Sequence, residues 1–384
     1  MHLLADAHIP WLSFLLRPLE ADGKLLLSRY ETPQELHDML STPAGKKPVD
    51  ALLVRTTAKI NRHTFPTFPP GLKCIATATA GTDHVDTAWL SEHGIRFFHS
   101  PGCNAQSVGE YVITALLHAY QGSWETLQQK KVGIVGFGNT GQAVGRLLHR
   151  LGVRYTAYDP PRAAAEAGQP GGFRSATPEA LIACDAITLH TPLVSGGPHP
   201  TRHLLSRLGV LHDESRFDVL INASRGGVLH ETAAAGLRKR NQLGRLVLDV
   251  WEEEPQVRPE SLQAADLATP HIAGYSQQAK FEASRLACLA LGNALGFEPE
   301  TGTPPWENAA YINAPKGVYS ALLAYHPAFE LDTLLRARPG EASFAELRNT
   351  FPLRREFAAT ELRQLPDTSR ERSLATALDF SLPA

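Results

Sequence analysis

Short apolar runs alternate along this chain with longer stretches whose apolar residues recur every three or four positions. The first pattern predicts buried strands and the second amphipathic helices. Leu3-Leu4-Ala5, Ala51 to Val54 and Cys74 to Ala80 read as strands, and Trp11 to Leu19 as a helix. A helix from about Gln106 to Tyr120, apolar at Val108, Val112, Ala115, Leu116 and Ala119, leads into a second series of runs. These are Val132 to Val135, Val153 to Tyr158, Ala186 to Leu189, Val219 to Ile221, Leu246 to Leu248 and Leu267-Ala268, each ending in polar, turn-rich residues. Strands separated by helices predict α/β architecture with a doubly wound parallel sheet, whose strand ends gather along one edge. Ser276 to Leu295 is helical in pattern and suits a return to the first domain. Pro299 to Pro305, with Gly302, reads as a linker. Helix-like segments around Ala321 to Leu335 and Phe344 to Leu365 predict a third, small module with few strands. The expected boundaries are therefore 1–105 completed by 276–298, then 106–275, then 299–384.

Lys131 to Asp159 carries the sharpest chemical signal. The run Val132, Ile134, Val135 passes directly into Gly136-Phe137-Gly138-Asn139-Thr140-Gly141, followed by Ala143, Val144, Leu147 and Leu148 at helical spacing. Gly136 permits the tight turn, Gly138 lets backbone approach a pyrophosphate, and Gly141 lets helix and strand pack closely. The helix start, with Asn139 and Thr140, offers N–H groups to phosphate oxygens. Asp159, at the end of the next run, is placed to accept from an adenosine ribose and to repel a 2′-phosphate, which favours NAD over NADP. Arg162 lies three residues further on, where an arginine can serve NADP instead; Pro160 and Pro161 stiffen the path between them.

Composition narrows the class. A net charge of −2, with 43% hydrophobic and 20% charged residues, is that of an ordinary soluble protein and gives no basic excess for nucleic acid. No apolar run approaches a membrane span, and the apolar N-terminus lacks a basic leader and cleavage site. Cys74, Cys103, Cys184 and Cys288 are scattered without metal-type spacing, so no metal site is expected and the thiols suit a cytoplasmic chain.

If the cofactor is a nicotinamide, the chemistry is hydride transfer, and the protein must orient the substrate and move one proton. His271, after the Leu267-Ala268 run, is a candidate acid/base. Glu254, behind the preceding run, suits an acid that fixes the ring, and Arg225 offers a planar fork for a carboxylate. Each alone would ordinarily be a surface or ion-pair residue; what raises all three is that each follows a strand of the cofactor sheet.

These motifs resemble the D-isomer-specific 2-hydroxyacid dehydrogenases, in which an Arg, a Glu and a His fall in this order within segments like NASRGG, DVWEEEP and PHIAG. The resemblance covers roughly residues 50 to 295. It implies a Rossmann-type NAD-binding domain, a flavodoxin-like substrate domain, and Arg225 as substrate orienter, Glu254 as partner and His271 as acid/base. TATAGTDHVD, PGCNA, YDPPR, HTPL and HIAGY resemble a branch acting on a phosphorylated 2-hydroxy acid, with a C-terminal homodimerisation domain that FAELRNTFPLRREF resembles in part. By that resemblance Thr56, Thr79 and Tyr275 contact substrate. Asp159, Thr191, Ala223, Ser224, Arg225, Asp249 and Gly274 contact NAD. Thr56 stands where the branch has Ser, keeping the hydroxyl and adding a methyl. Arg55 is the nearest cation for a substrate phosphate. Within the basic cluster Arg348, Arg354 and Arg355, Arg354 or Arg355 of a dimer partner is a bolder source. The same catalytic three would also serve a phosphoglycerate or glyoxylate/hydroxypyruvate dehydrogenase, and the fold an NAD-sensing dimer without turnover.

Overall fold

The computed structural model describes residues 1–41, 48–304, 306 and 311–383. Two compact units result: Met1–Asn104 with Gln277–Glu307, and Ala105–Ser276 with Asn308–Ala384.

In the first unit, β1 (His2–Asp6), β2 (Leu26–Tyr30), β3 (Ala51–Val54), β4 (Cys74–Thr77) and β5 (Arg96–Phe98) form one parallel sheet in the order β2-β1-β3-β4-β5. Alternation along the strands splits its core. Leu3, Ala5, Leu53 and Ala76 pack on one face with Ala287, Cys288 and Leu291 of the helix Gln277–Leu295, while Leu4, Leu52, Val54 and Ile75 fill the other. The direction of strand order reverses between β1 and β3; Asp6 closes β1 and Arg55 follows β3. Strands β2 and β5, which the pattern reading leaves out, are sheet edges that bury little; Leu26 is exposed and only Tyr30 of β2 is buried. Glu300 holds the expected linker to this unit, accepting from Arg17 and donating its N–H to Leu15 O; Pro305 lies outside the described residues.

In the second unit, β6 (Lys131–Val135), β7 (Arg154–Tyr158), β8 (Ala186–Leu189), β9 (Phe217–Asn222), β10 (Leu243–Leu248) and β11 (Leu267–Ala268) make a six-stranded parallel sheet in the order β11-β10-β9-β8-β6-β7. This is the Rossmann-type doubly wound arrangement. Its reversal falls between β6 and β8, where open parallel sheets bind ligands. The helices Ala105–Ala119 and Asn139–Arg150 approach closely at Gly109, where a Cβ would stand 3.1 Å from Leu147 Cδ1. Two further strands, β12 (Tyr311–Asn313) and β13 (Glu361–Arg363), pair in parallel.

Residues 311–383 share one continuous core with the sheet, through Val318, Leu322, Leu331, Leu335, Phe344, Phe357 and Leu374 among others. Both long helices expected here are broken, and each break stands at a proline. Helix Val318–Tyr325 stops before His326-Pro327 and Ala328–Ala337 resumes, while Glu341–Thr350 stops before Phe351-Pro352 and the chain runs on into a 3-10 turn and β13. The residue preceding proline is driven out of the helical region; Phe351 is extended, with ψ 129°. Among the described residues no helix is long and apolar enough to cross a membrane.

Candidate active site

The glycine loop is built as its spacing requires. Gly136 has φ +88°, and a Cβ there would stand 2.8 Å from His190 O; a Cβ at Gly141 would collide with Gly136 O. At Gly138, by contrast, a Cβ would meet nothing within 4 Å. The helix Asn139–Arg150 starts there with no side-chain cap, so its first N–H groups are available to an anion. Thr191 Oγ1 is buried beside this loop without a hydrogen-bond partner among the described residues, as a group awaiting a ligand would be. His190 is half-buried, and loss of solvent around its ring pushes the imidazole down to about 3, so it is neutral; its Nε2 lies 2.9 Å from Thr188 Oγ1. These residues fit a dinucleotide.

Asp159 accepts from Phe137 N–H at 2.7 Å and from Arg162 N–H at 3.1 Å, so the acid fixes the loop. Arg162 is committed elsewhere. Its NH1 donates to Phe137 O at 2.6 Å, its Nε to Glu166 at 2.7 Å, and its guanidinium lies 4.9 Å from the Phe173 ring centre.

Three loops at the carboxyl ends of β9, β10 and β11 carry Arg225, Glu254 and His271. His271 Nδ1 and Glu254 Oε2 are 2.8 Å apart, although seventeen residues separate them in sequence. An ionised acid accepts there, so Nδ1 carries its proton and Nε2 is the nitrogen left for chemistry. Glu254 is half-buried. Burial alone would raise its carboxyl, but the His271 ring, the Trp251 N–H at 2.9 Å and the Arg348 charge outweigh burial and hold it below the usual range. Its neighbours in the acidic run do other work: Glu252 binds Arg258 at 2.7 Å and the Glu231 N–H at 3.0 Å.

His271 itself has φ +57°, an uncommon conformation for a residue with a side chain. Asp249 holds it there. The Asp249 carbonyl accepts from His271 N–H at 2.8 Å, and its carboxylate accepts from Thr269 Oγ1 and Ile272 N–H at 2.7 Å and Ala273 N–H at 3.0 Å. With 1% exposure, that carboxylate is turned into the loop rather than outward. Tyr111 backs Thr269 at 2.8 Å, and the buried Trp251 indole donates to Thr269 O at 3.0 Å. On the β9 loop, Asn222 Oδ1 accepts from Ser224 N–H and Oγ while its Nδ2 donates to Arg225 O, fixing the turn that presents Arg225. Gly226 has no room for a side chain, because Trp251 O lies against it. Ala223 and Ser224 are buried behind Arg225, and Gly274 is half-buried beside Tyr275.

The remaining expected substrate residues stand in the first unit. Arg55 Nε lies 3.0 Å from the buried carboxylate of Asp6, and Thr56 beside it is exposed. Thr79 Oγ1 donates to Gly81 O at 2.8 Å and lies 2.8 Å from Thr77 Oγ1.

Two arginines depart from expectation. Arg354 is buried in its own chain, where NH1 donates to Glu110 Oε2 at 2.5 Å and NH2 to Ser107 O at 3.2 Å. It is therefore not available to a partner's site; Arg355 is also buried, at 9% exposure. Arg348, which the sequence marks only as a member of a basic cluster, instead donates from Nε to Tyr275 Oη at 3.1 Å. No local signal singles it out, because 73 residues separate the two.

Residues 113–273 match the model of the D-isomer specific 2-hydroxyacid dehydrogenase NAD binding domain. The chain is 36% identical to an erythronate-4-phosphate dehydrogenase of Marinobacter nauticus, across 89% of this chain and 92% of the relative. It is 38% identical to one of Salinibacter ruber, across 93% and 92%. Among solved structures it resembles the D-lactate dehydrogenase of Aquifex aeolicus complexed with NAD and lactic acid, with TM-score 0.57, 21% identity, and 79% of this chain and 100% of that one covered. A protein of Thermus thermophilus gives TM-score 0.59 at 26% identity, over 78% and 98%.

Proposed function

This chain belongs to the erythronate-4-phosphate dehydrogenases of the D-isomer-specific 2-hydroxyacid dehydrogenase family, and from that premise we propose that it oxidises 4-phospho-D-erythronate at C2. The product is (3R)-3-hydroxy-2-oxo-4-phosphooxybutanoate, in the route to pyridoxal 5′-phosphate. The observation that carries the reading is the 2.8 Å contact between His271 and Glu254 on the sheet that bears the dinucleotide loop.

Bound NAD supplies the hydride acceptor. The protein's task is the proton and the orientation. Neutral His271 takes the C2-hydroxyl proton at Nε2, and the anionic Glu254 stabilises the imidazolium that forms. Arg225 holds the substrate carboxylate with two parallel N–H donors. Gly136 to Gly141 with Asp159 and Thr191 receive the cofactor. Arg55, Thr56 and Thr79 of the first unit, and Tyr275 of the second, are assigned to substrate on the sequence resemblance, each to be tested singly. We further assign a homodimer, formed through residues 311–383, in the cytoplasm; sedimentation equilibrium giving only the monomer mass would refute the dimer.

The test is NADH formation on 4-phospho-D-erythronate beside 3-phosphoglycerate and glycerate. Preference for the first, abolished in His271→Ala, is expected. Equal turnover of all three would move the assignment to a less selective relative, and NAD binding without turnover would make the chain a sensor.

A further inference from the structure

Arg225, Glu254 and His271 account for the chemistry at C1 and C2 of a 2-hydroxy acid, and none of them reads the substrate's far end. The solved relatives are covered almost whole by 78–79% of this chain, leaving about a fifth of it without counterpart in them. Arg348 belongs to the segment beyond the NAD-domain match. Its helix, Glu341–Thr350, is anchored by Phe344 and Leu347, which sink into the core at 2% and 5% exposure. That anchoring leaves Arg348, one position further round, half-buried against Tyr275. Nε donates to Tyr275 Oη at 3.1 Å, and the guanidinium carbon lies 5.9 Å from the ring centre.

What separates Arg348 from its neighbours is the absence of a counter-ion. Arg336 binds Asp332 at 2.8 Å, Arg354 binds Glu110, and Arg370 binds Glu125 and Glu371. Among the described residues Arg348 has no carboxylate within ion-pair distance, and its only protein acceptor is the tyrosine hydroxyl, taken up by Nε. Both terminal nitrogens keep their donors. A half-buried cation held still by a tyrosine that lies four residues along the chain from His271, with no described carboxylate at ion-pair distance, is arranged to receive an anion. The flat fork of two NH2 groups matches two oxygens of a phosphate monoester.

We propose that Arg348 is a specificity-determining residue for this reaction, its terminal nitrogens binding the phosphate monoester of the substrate while Tyr275 fixes the guanidinium. The proposal deepens the function assigned above and rests on it. The charge of Arg348 also helps to keep Glu254 anionic, so the same residue supports the acid of the catalytic pair.

The experiment measures kcat/KM of the full chain on 4-phospho-D-erythronate and on unphosphorylated D-erythronate, for wild type, Arg348→Lys and Arg348→Ala. Charge-assisted hydrogen bonds of this kind should make the ratio of the two efficiencies fall by about 10- to 100-fold in Arg348→Ala. Arg348→Lys, which keeps charge but not the fork, should fall between. Loss borne by KM for the phosphorylated substrate supports phosphate binding. An unchanged ratio, whether both efficiencies fall together or neither falls, overturns it. Inorganic phosphate titrated by calorimetry separates the two readings. If wild type fails to turn over 4-phospho-D-erythronate, the function falls. Phosphate binding that disappears in Arg348→Ala would still uphold Arg348, and binding that persists would overturn it.

Discussion

Two acid–base pairs in the second unit use similar chemistry to opposite ends. Arg354 and Glu110 meet with side-chain exposures of 3% and 0%; His271 and Glu254 meet at 2.8 Å with 26% and 22%. The first pair ties residue 354 to the helix Ala105–Ala119, where Glu110 also accepts from the Phe357 N–H at 3.0 Å and the Gln106 amide at 3.1 Å. Burial pushes the Glu110 carboxyl up, and the Arg354 charge opposes that push. A pair so enclosed has no route for a substrate proton. The second pair keeps one ring nitrogen toward the outside, so its charge can change within a catalytic cycle. Access to solvent, more than residue type, decides whether such a pair fastens the fold or moves a proton.

The comparison is broken most severely at the open pair. His271→Ala should lower kcat/KM by roughly 10² to 10⁴-fold, the usual span for a lost acid/base. Its thermal midpoint should stay close to that of wild type, and calorimetry beside the NADH assay checks both. At the sealed pair the balance inverts. Arg354→Ala leaves a buried carboxylate uncompensated and should remove about 3–5 kcal/mol of stability, read from urea unfolding, with native turnover at low temperature in whatever fraction stays folded. A midpoint equal to wild type would show that the pair is not a fastening.

Replacing both partners by apolar residues, Glu110→Leu with Arg354→Met, should destabilise less than Arg354→Ala alone, since no charge is then stranded. A double variant less stable than the single one would contradict that account. The smallest effect is a pH dependence. Glu254 is held below its unfolded value, so its contribution to stability is fully present above the ordinary carboxylate range. It is lost as pH falls through the depressed folded value. The stability gap between wild type and Glu254→Gln should therefore be full at neutral pH and close in acid, below about pH 4. A gap independent of pH would mean that the carboxylate charge contributes nothing.

Legibility follows the distance over which each feature is encoded. The glycine turn, the acid that follows β7 and the buried strands are readable, because a strand with both faces covered must be apolar throughout. Strands β2 and β5 are less so, since an edge strand such as Leu26–Tyr30 buries one residue and mixes exposed apolar with polar positions. Near 327 and 352 apolar spacing persists across Pro327 and Pro352 and so predicts continuous helices, but the missing N–H and the ring clash of proline outweigh that periodicity. The family resemblance places Asp249 at the cofactor; the structure turns its carboxylate into the His271 loop, through donors that only the folded turn assembles.

The amino-acid order by itself marked the α/β architecture and the dinucleotide turn, and offered Arg225, Glu254 and His271 as candidates. Those features depend on periodicity and turn chemistry within a few residues, or on each side chain's place just past a strand. Only tertiary structure decided that Glu110 would meet a cation 244 positions away and that Arg348 would settle on Tyr275. Burial and ion pairing are properties of the packed surroundings, and no local pattern states which distant side chain will supply them.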